Sequence, residues 1–159
     1  MTPEEKLKSL GIELPELPMP LGSYVPFVRT GDLVFLSGML PLKEGKLITT
    51  GRVGEAVTLE EANACARAAA VNALAVLKSA AGGLDKVVRC VMINGFVASA
   101  DDFVDQPKVI NGASDLIFQV FGDQGLHART AVGVNVLPLK SPVEIAFIFE
   151  VRAQALPRS

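Results

Sequence analysis

A chain of 159 residues, half of them hydrophobic, is long enough for about one domain with a full core that needs neither disulfides nor a metal ion. Its formal net charge of -2 and its pI near 5.4 give no basic surface for polyanions, which argues against nucleic-acid binding. The two cysteines show no CxxC spacing and no histidine cluster, so a reduced cytoplasmic protein is expected.

The N-terminal stretch MTPEEKLKSLGIELPELPMP has acidic residues and prolines where a signal peptide needs a basic start and an apolar run. Residues 3–10 are predicted to form a short helix, and the Pro-rich ELPELPMPLG an extended arm laid over the domain. No uninterrupted run approaches the ~18 apolar residues of a spanning helix, so no membrane segment is expected. The sequence thus predicts a helix and arm over residues 1–19, a single domain over 20–153 and a tail over 154–159.

The domain opens with YVPFVRTGDLVFLSG, in which two β-rich runs flank residues 30–32, and this pattern predicts an antiparallel hairpin. The next segment, TLEEANACARAAAVNALAVLKSAAGG, predicts a helix. Thr58 and Glu61 have the spacing of a capping box, and two glycines at 82–83 mark the end. Such an Ala-rich helix is typical of a protein core that packs closely on a sheet.

KVVRCVMINGFVAS then predicts a strand, and QPKVINGASDLIFQVFG a second helix with Pro107 in its first turn and Gly122 at its end. Residues 125–151 predict two more strands. The order β-β-α-β-α-β-β favours an α+β domain, with one mixed sheet and both helices on a single face.

The final two strands lie in GLHARTAVGVNVLPLKSPVEIAFIFEV and are expected to form a hairpin. A loop over 138–141 would set Asn135 opposite Glu144 and Arg129 near Glu150. Strand alternation divides the residues between two faces. Toward the helices it places Val132, Val134, Val136, Val143, Ile145, Phe147 and Phe149, and away from them Arg129, Ala131, Gly133, Asn135, Glu144, Ala146, Ile148 and Glu150. This second face is too apolar for a solvated surface, so we expect other subunits of a homo-oligomer to cover it.

Generic catalytic motifs such as GxSxG, a Walker loop or HExxH are missing from the sequence. His127, the single histidine, precedes the last hairpin; it is expected to be a loop or strand-end residue, with a general-base role as the weaker alternative. Arg129 is a guanidinium beside a buried face and must find a carboxylate. That carboxylate is either Glu150 of the same chain or a ligand, and periodicity does not choose between them.

Five segments, PLGSYVPFV, LVFLSGMLPL, NGASDLIFQVFG, ARTAV and LPLKSPVEI, together resemble the reactive-intermediate deaminases, the YjgF-like or Rid family, also labelled endoribonuclease L-PSP. The resemblance runs in order through residues 20 to 152. It implies a chorismate-mutase-like fold assembled as a homotrimer with three clefts between subunits. It also implies cofactor-independent and metal-free hydrolysis of enamines or imines, such as 2-aminoacrylate, to a 2-keto acid and ammonia.

The resemblance also assigns roles to residues. Arg129 matches the arginine that binds the substrate carboxylate, and Glu144 the acidic residue that positions a water molecule. Three substrate-binding positions fall on Tyr24, on Ser37 of the SG motif and on Asn111, the asparagine that opens the second helix. From the residues alone, Tyr24 and Ser37 are equally ordinary strand residues and Asn111 a helix-surface residue. The expected site joins Arg129 of one subunit to Glu144 of its neighbour.

Two departures from the family pattern bear on activity. Ala131 stands where many members carry a cysteine, and the segment between Phe103 and Asn111 is longer than usual, which predicts a reshaped cleft entrance. The alternative function is a non-catalytic trimer that binds or senses small carboxylates. RNA cleavage is disfavoured because the chain is acidic and has no Trp and one Tyr for base stacking.

Overall fold

The computed structural model describes residues 1–17 and 23–153 as three helices and seven strands, joined in places by short 3-10 turns. The helices are α1 (Pro3–Ser9), α2 (Leu59–Ala81) and α3 (Gln106–Phe121). The strands are β1 (Phe27–Thr30), β2 (Leu33–Leu36), β3 (Leu42–Lys43), β4 (Lys46–Leu47), β5 (Val87–Ala98), β6 (Ala128–Val134) and β7 (Val143–Val151).

Five strands form one sheet in the order β1-β2-β7-β5-β6, and all neighbours are antiparallel except β5 and β6, which run parallel. Helix α2 packs on β7 and β2, and α3 on β5 and β6, so both helices cover the same face of the sheet. The predicted α+β class, mixed sheet and order of elements are confirmed. The two-residue strands β3 and β4 form an additional small hairpin that the sequence did not indicate.

Helix α2 begins and ends where its sequence predicts. The Thr58 Oγ1 accepts a hydrogen bond from the N–H of Glu61 at 3.1 Å, and Gly82 ends the helix in the left-handed conformation at φ +79°. By length and composition alone α2 is long and apolar enough to cross a membrane. Its small and aliphatic side chains, including the fully buried Leu74 and Leu77, account for that composition because they form the core beneath the sheet.

Helices α2 and α3 touch backbone to backbone at Gly112. A Cβ on this glycine would lie 2.0 Å from the Asn63 carbonyl oxygen and 3.2 Å from the Arg67 nitrogen. Asn63 adds a hydrogen bond from its Nδ2 to the Lys108 carbonyl oxygen at 2.9 Å. The small residue therefore fixes the distance between the helices, and with it the height of α3 above the sheet.

The N-terminal helix α1 is anchored to the domain at two points. Leu7 is 4% exposed and belongs to the main core, and the Glu4 carboxylate accepts the N–H of Leu84 at 2.9 Å. Beyond the helix, Ile12 and Leu14 pack against the same core without regular secondary structure. The predicted helix is thus present, whereas part of the predicted arm, residues 18–22, lies outside the described residues, as does the predicted tail over 154–159.

The prediction that the last two strands form a hairpin is wrong. Strand β5 lies between β6 and β7 and pairs with both, so that Ile93 has Arg129 on one side and Phe147 on the other. The expected pairs Asn135–Glu144 and Arg129–Glu150 are therefore not formed. A short 3-10 turn at Pro138–Lys140 leads the chain across the end of β5.

The two faces of β6 are also reversed relative to the prediction. Arg129 shares its row with Ile93 and Phe147, which are buried under the helices, and Ala131 packs against the core. Val132 points the other way and is exposed. Strand β7 follows the prediction, since Val143, Ile145, Phe147 and Phe149 are buried toward the helices and Glu144, Ala146, Ile148 and Glu150 face away.

Candidate functional site

Arg129 lies on β6, the edge strand of the sheet, with its side chain on the helix-covered face. Its Nη1 donates hydrogen bonds to Asn111 Oδ1 at 2.7 Å and to Ser114 Oγ at 3.2 Å. Both partners belong to α3, and their spacing of three residues places them on one face of that helix. A helix and an edge strand thus hold the half-buried guanidinium from one side.

The guanidinium of Arg129 has two further nitrogens, Nε and Nη2, that are available to a ligand. Both hydrogens on Nη1 are used by α3, and within residues 1–17 and 23–153 no hydrogen bond involves Nε or Nη2. These two nitrogens form the side-on edge of the guanidinium, which matches the two oxygens of a carboxylate. The geometry therefore suits bidentate binding of a carboxylate through Nε and Nη2.

The alternative in which Glu150 neutralises Arg129 is wrong. Glu150 pairs with Arg89 instead, with an Oε2–Nε distance of 3.6 Å, and both side chains lie on the face of the sheet away from the helices. Among the described residues, none of the ion pairs includes Arg129. The guanidinium is held by neutral groups, which leaves its positive charge available to an anion.

Asn111 occupies a different place from the one the resemblance implied. Helix α3 begins at Gln106, so Asn111 lies in its second turn rather than at its start. There it is half-buried between the helix and β6, and its side-chain oxygen accepts from Arg129. It therefore orients the guanidinium, and is more than a helix-surface residue.

His127 and Ser114 extend this group of side chains. The His127 Nε2 lies 2.9 Å from Ser114 Oγ, and its Nδ1 lies 2.7 Å from the Gly125 carbonyl oxygen. Ser114 was not selected from the sequence, although it lies three residues after Asn111 on the same helix face. Likewise, His127 lies two residues before Arg129, immediately before β6. Those two spacings were the available signals.

Glu144 lies far from Arg129 within one chain. Its side chain is on the face of the sheet away from the helices, in a row with Phe96 and Val132. Two strand spacings and three residues separate it from Arg129, which corresponds to roughly 14 Å between Cα atoms. Its carboxyl lies over Gly38, where an added Cβ would come 3.0 Å from the Glu144 Cδ. One chain alone therefore does not bring these two groups to one small molecule.

Tyr24 and Ser37 lie just beyond the paired ends of β1 and β2. Both line a cavity of about 650 Å³ against α2, together with Gly38, Leu40 and Asn72. The Ser37 hydroxyl donates to the Val25 carbonyl oxygen at 2.6 Å, and Tyr24 is exposed. The predicted site residues thus form two groups, Arg129 with Asn111 and Ser37 with Tyr24. Glu144 belongs to neither, although its carboxyl adjoins Gly38 of the cavity wall.

The two cysteines do not belong to either group. Burial raises the pKa of the Cys65 thiol to about 11, with a further contribution from Glu61, and burial raises that of Cys90 to about 12. Both are neutral and unreactive at physiological pH. Across residues 1–17 and 23–153, no three His, Cys, Asp or Glu side chains are placed to share a metal ion.

Comparisons with known proteins show which family the chain resembles. A family model described as "YjgF/chorismate_mutase-like, putative endoribonuclease" matches residues 4–151. Protein TCP17 of Trypanosoma cruzi is 43% identical over 145 residues, covering 91% of each chain. A 2-iminobutanoate/2-iminopropanoate deaminase of Dermatophagoides farinae is 30% identical over 137 residues, covering 86% of this chain and 92% of that protein.

The fold itself matches solved structures. A protein of unknown function from Agrobacterium tumefaciens superposes with a TM-score of 0.87 at 46% sequence identity, covering 94% of this chain and 92% of that one. With the family model, this likeness confirms the expected chorismate-mutase-like fold.

Proposed function

This chain belongs to the YjgF/chorismate mutase-like family, and on that premise we propose that it hydrolyses enamine and imine intermediates of the 2-aminoacrylate type to 2-keto acids and ammonia. The observation that carries the proposal is Arg129, whose Nη1 is held by Asn111 and Ser114 while its Nε and Nη2 point away from α3's acceptors. The deaminase activity named for the Dermatophagoides farinae relative is of the same class.

Arg129 suits the part of the substrate that stays unchanged. A 2-imino acid carries a carboxylate next to the reacting carbon, and a bidentate pair with Nε and Nη2 fixes both its position and its plane. Holding the substrate in this way lowers the barrier by orientation alone. The imine carbon is already electrophilic, so no strong nucleophile or redox group is required of the protein.

Glu144 is proposed to act on the water molecule. In this step water adds to the C=N carbon while Glu144 accepts one water proton and passes it to the nitrogen. The hydroxyl proton then also moves to the nitrogen as the C=O bond forms, the C–N bond breaks and ammonia leaves. The products are the 2-keto acid and ammonia, and atoms balance with one water consumed. Since a single chain keeps Glu144 and Arg129 roughly 14 Å apart on opposite faces of the sheet, the proposal requires a neighbouring subunit.

The face of the sheet away from the helices supports such an assembly. Val28, Phe35 and Val132 are 56%, 40% and 40% exposed there, on a face that also carries Ile148 and Glu144. Contiguous apolar residues of this kind are typical of a subunit interface. We propose a homotrimer in which the β6 edge of one subunit approaches this face of the next. This contact brings Arg129 toward the neighbour's Glu144.

The assay for this function is ammonia release from 2-aminoacrylate generated freshly by a pyridoxal-phosphate enzyme. Wild-type protein should accelerate release, and Arg129→Ala should lower kcat/KM by about a hundredfold or more, since a charged bidentate contact is lost. Arg129→Lys keeps the positive charge but loses the planar guanidinium that binds with two nitrogens, and should recover only part of the wild-type kcat/KM. The matched control is Arg67→Ala, which removes a partly exposed arginine that donates to Gln119 Oε1 away from the candidate site.

If Arg129→Ala hydrolyses the imine as fast as wild type, Arg129 has no part in the reaction and the proposal is wrong. A second function, a non-catalytic carboxylate binder, is favoured by one observation. The hydrogen bonds that orient Arg129 are complete within one chain, whereas Glu144 lies on the opposite face of the sheet. In that case pyruvate binds through Arg129 with no imine turnover, and calorimetry beside the ammonia assay separates the two functions.

A further inference from the structure

A continuous hydrogen-bond chain leads from the guanidinium back to the main chain just before β6. It passes from Arg129 Nη1 to Ser114 Oγ at 3.2 Å, from Ser114 Oγ to His127 Nε2 at 2.9 Å, and from His127 Nδ1 to the Gly125 carbonyl oxygen at 2.7 Å. These bonds join β6, α3 and the segment that precedes β6. It involves the one histidine of the sequence.

The chemistry of its two ends sets the direction of the chain. A carbonyl oxygen only accepts, so His127 Nδ1 must carry the proton that bonds Gly125. In the neutral imidazole Nε2 is then an acceptor, and the Ser114 hydroxyl has to donate to it. The Ser114 oxygen keeps its lone pairs for the N–H of Arg129. Each of these three hydrogen bonds therefore has one donor and one acceptor, and no proton is contested.

The carbonyl that ends the chain has a fixed position. Gly125 is buried against α3, and an added Cβ would lie 2.6 Å from the Ile117 carbonyl oxygen and 3.0 Å from the Phe118 Cα. The same helix therefore carries Ser114 and Asn111 and also fixes the loop that orients His127. This arrangement holds the Nη1 of Arg129 against α3 at two points.

We infer that Ser114 and His127 are positioning residues for Arg129, with His127 held as the Nδ1–H tautomer by the Gly125 carbonyl, so that the Ser114 hydroxyl donates to Nε2 and its oxygen accepts from the guanidinium. The inference rests on the proposed function, in which the Nε and Nη2 edge of Arg129 binds a carboxylate. With Asn111 holding the other Nη1 hydrogen, the loss of Ser114 lets the guanidinium rotate. The edge then no longer presents both nitrogens to the carboxylate.

The tautomer is tested directly by NMR on protein labelled with ¹⁵N-histidine. Because the chain has one histidine, the spectrum needs no assignment. At pH 8.5 we expect a protonated Nδ1 and an unprotonated Nε2, and we expect Ser114→Ala to shift the Nε2 resonance because its hydrogen-bond donor is removed. An Nε2–H tautomer in the wild-type protein overturns the inference.

The positioning role is tested by calorimetric titration with pyruvate. Ser114→Ala should weaken binding by about tenfold, the effect of one hydrogen bond to a charged group. Ser114→Thr retains a hydroxyl and should restore affinity to within about twofold, a rescue that a purely packing role does not predict. Ser79→Ala, an exposed serine on α2, is the matched control and should bind as wild type.

The variants separate this inference from the proposed function. If Arg129→Ala loses pyruvate binding while Ser114→Ala binds as wild type, the inference is overturned and the proposed function stands. If Arg129→Ala itself binds pyruvate unchanged, both are wrong. Melting temperatures of all variants exclude loss of folding, and the Ser114→Thr protein keeps the test decisive if Ser114→Ala does not fold.

Discussion

Gly112→Ala is the substitution that connects helix packing most directly to the candidate site. The new methyl carbon would lie 2.0 Å from the Asn63 carbonyl oxygen, whereas carbon and oxygen are ordinarily separated by about 3.3 Å or more. The obstacle is backbone on a buried helix, so α3 has to withdraw by more than about 1 Å. Asn111 and Ser114 flank this position and move with it.

Overpacking of this kind lowers the free energy of unfolding by about 3 kcal/mol. The better helix propensity of alanine offsets about 1 kcal/mol of that loss. The expected net loss of about 2 kcal/mol lowers the melting temperature by roughly 4–8 °C in a domain of this size. Calorimetry measures this shift. The ammonia assay and pyruvate titration should show weaker function in the same variant, because the bonds to Arg129 of 2.7 and 3.2 Å lengthen.

Gly82→Ala serves as the control. It adds the same methyl where no atom lies within 4 Å, at a φ of +79° that costs alanine about 1–2 kcal/mol. It should therefore lower stability with no effect on pyruvate affinity. The reasoning is refuted if Gly112→Ala melts like wild type, or if it is destabilised but binds pyruvate as Gly82→Ala does.

Three further predictions concern stability and assembly. The raised pKa values of Cys65 and Cys90 stabilise the fold below about pH 9, and this contribution is lost as the pH rises toward 11–12. Urea unfolding between pH 8 and 11 should therefore show falling stability, with a flatter profile when both are alanine; equal slopes contradict this. Leu7→Ala should lower the free energy of unfolding by about 2–5 kcal/mol, because it opens a cavity under α1. Leu10→Ala, at an exposed position, should lower it much less, and equal losses would contradict the anchoring role of α1. Phe35→Lys should reduce the oligomer to monomers in light scattering, because it places a charge on the proposed interface, and an unchanged mass contradicts that interface.

Much of the fold follows from patterns within single elements. The cap at Thr58, the glycine at 82 and the alternation of β7 are local features, and each was predicted correctly from its own residues. Strand pairing is different, because it depends on whether a strand distant in the sequence lies between two strands that are consecutive in the sequence. The sequence between β6 and β7 contains a short turn typical of a hairpin, and nothing in it indicates that β5 lies between them.

The orientation of β6 could not be predicted for a packing reason. Both faces of this strand are apolar, and the larger valines were expected in the core. In the structure the helix-facing row of β6 holds Arg129, Ala131 and Gly133, and the end of the Gln106 side chain fills the space beside Gly133, where an added Cβ would lie 2.8 Å from its Nε2. The valines face outward as a result, and Arg129 turns toward α3.

The central claim of a site shared between subunits is tested most directly by mixing two inactive proteins. Arg129→Ala and Glu144→Ala chains are purified separately, unfolded together in equal amounts and refolded, and ammonia release is measured. If each site takes Arg129 from one subunit and Glu144 from the next, random trimers should regain about one quarter of wild-type activity. Refolded mixtures that stay as inactive as either variant alone contradict the shared site.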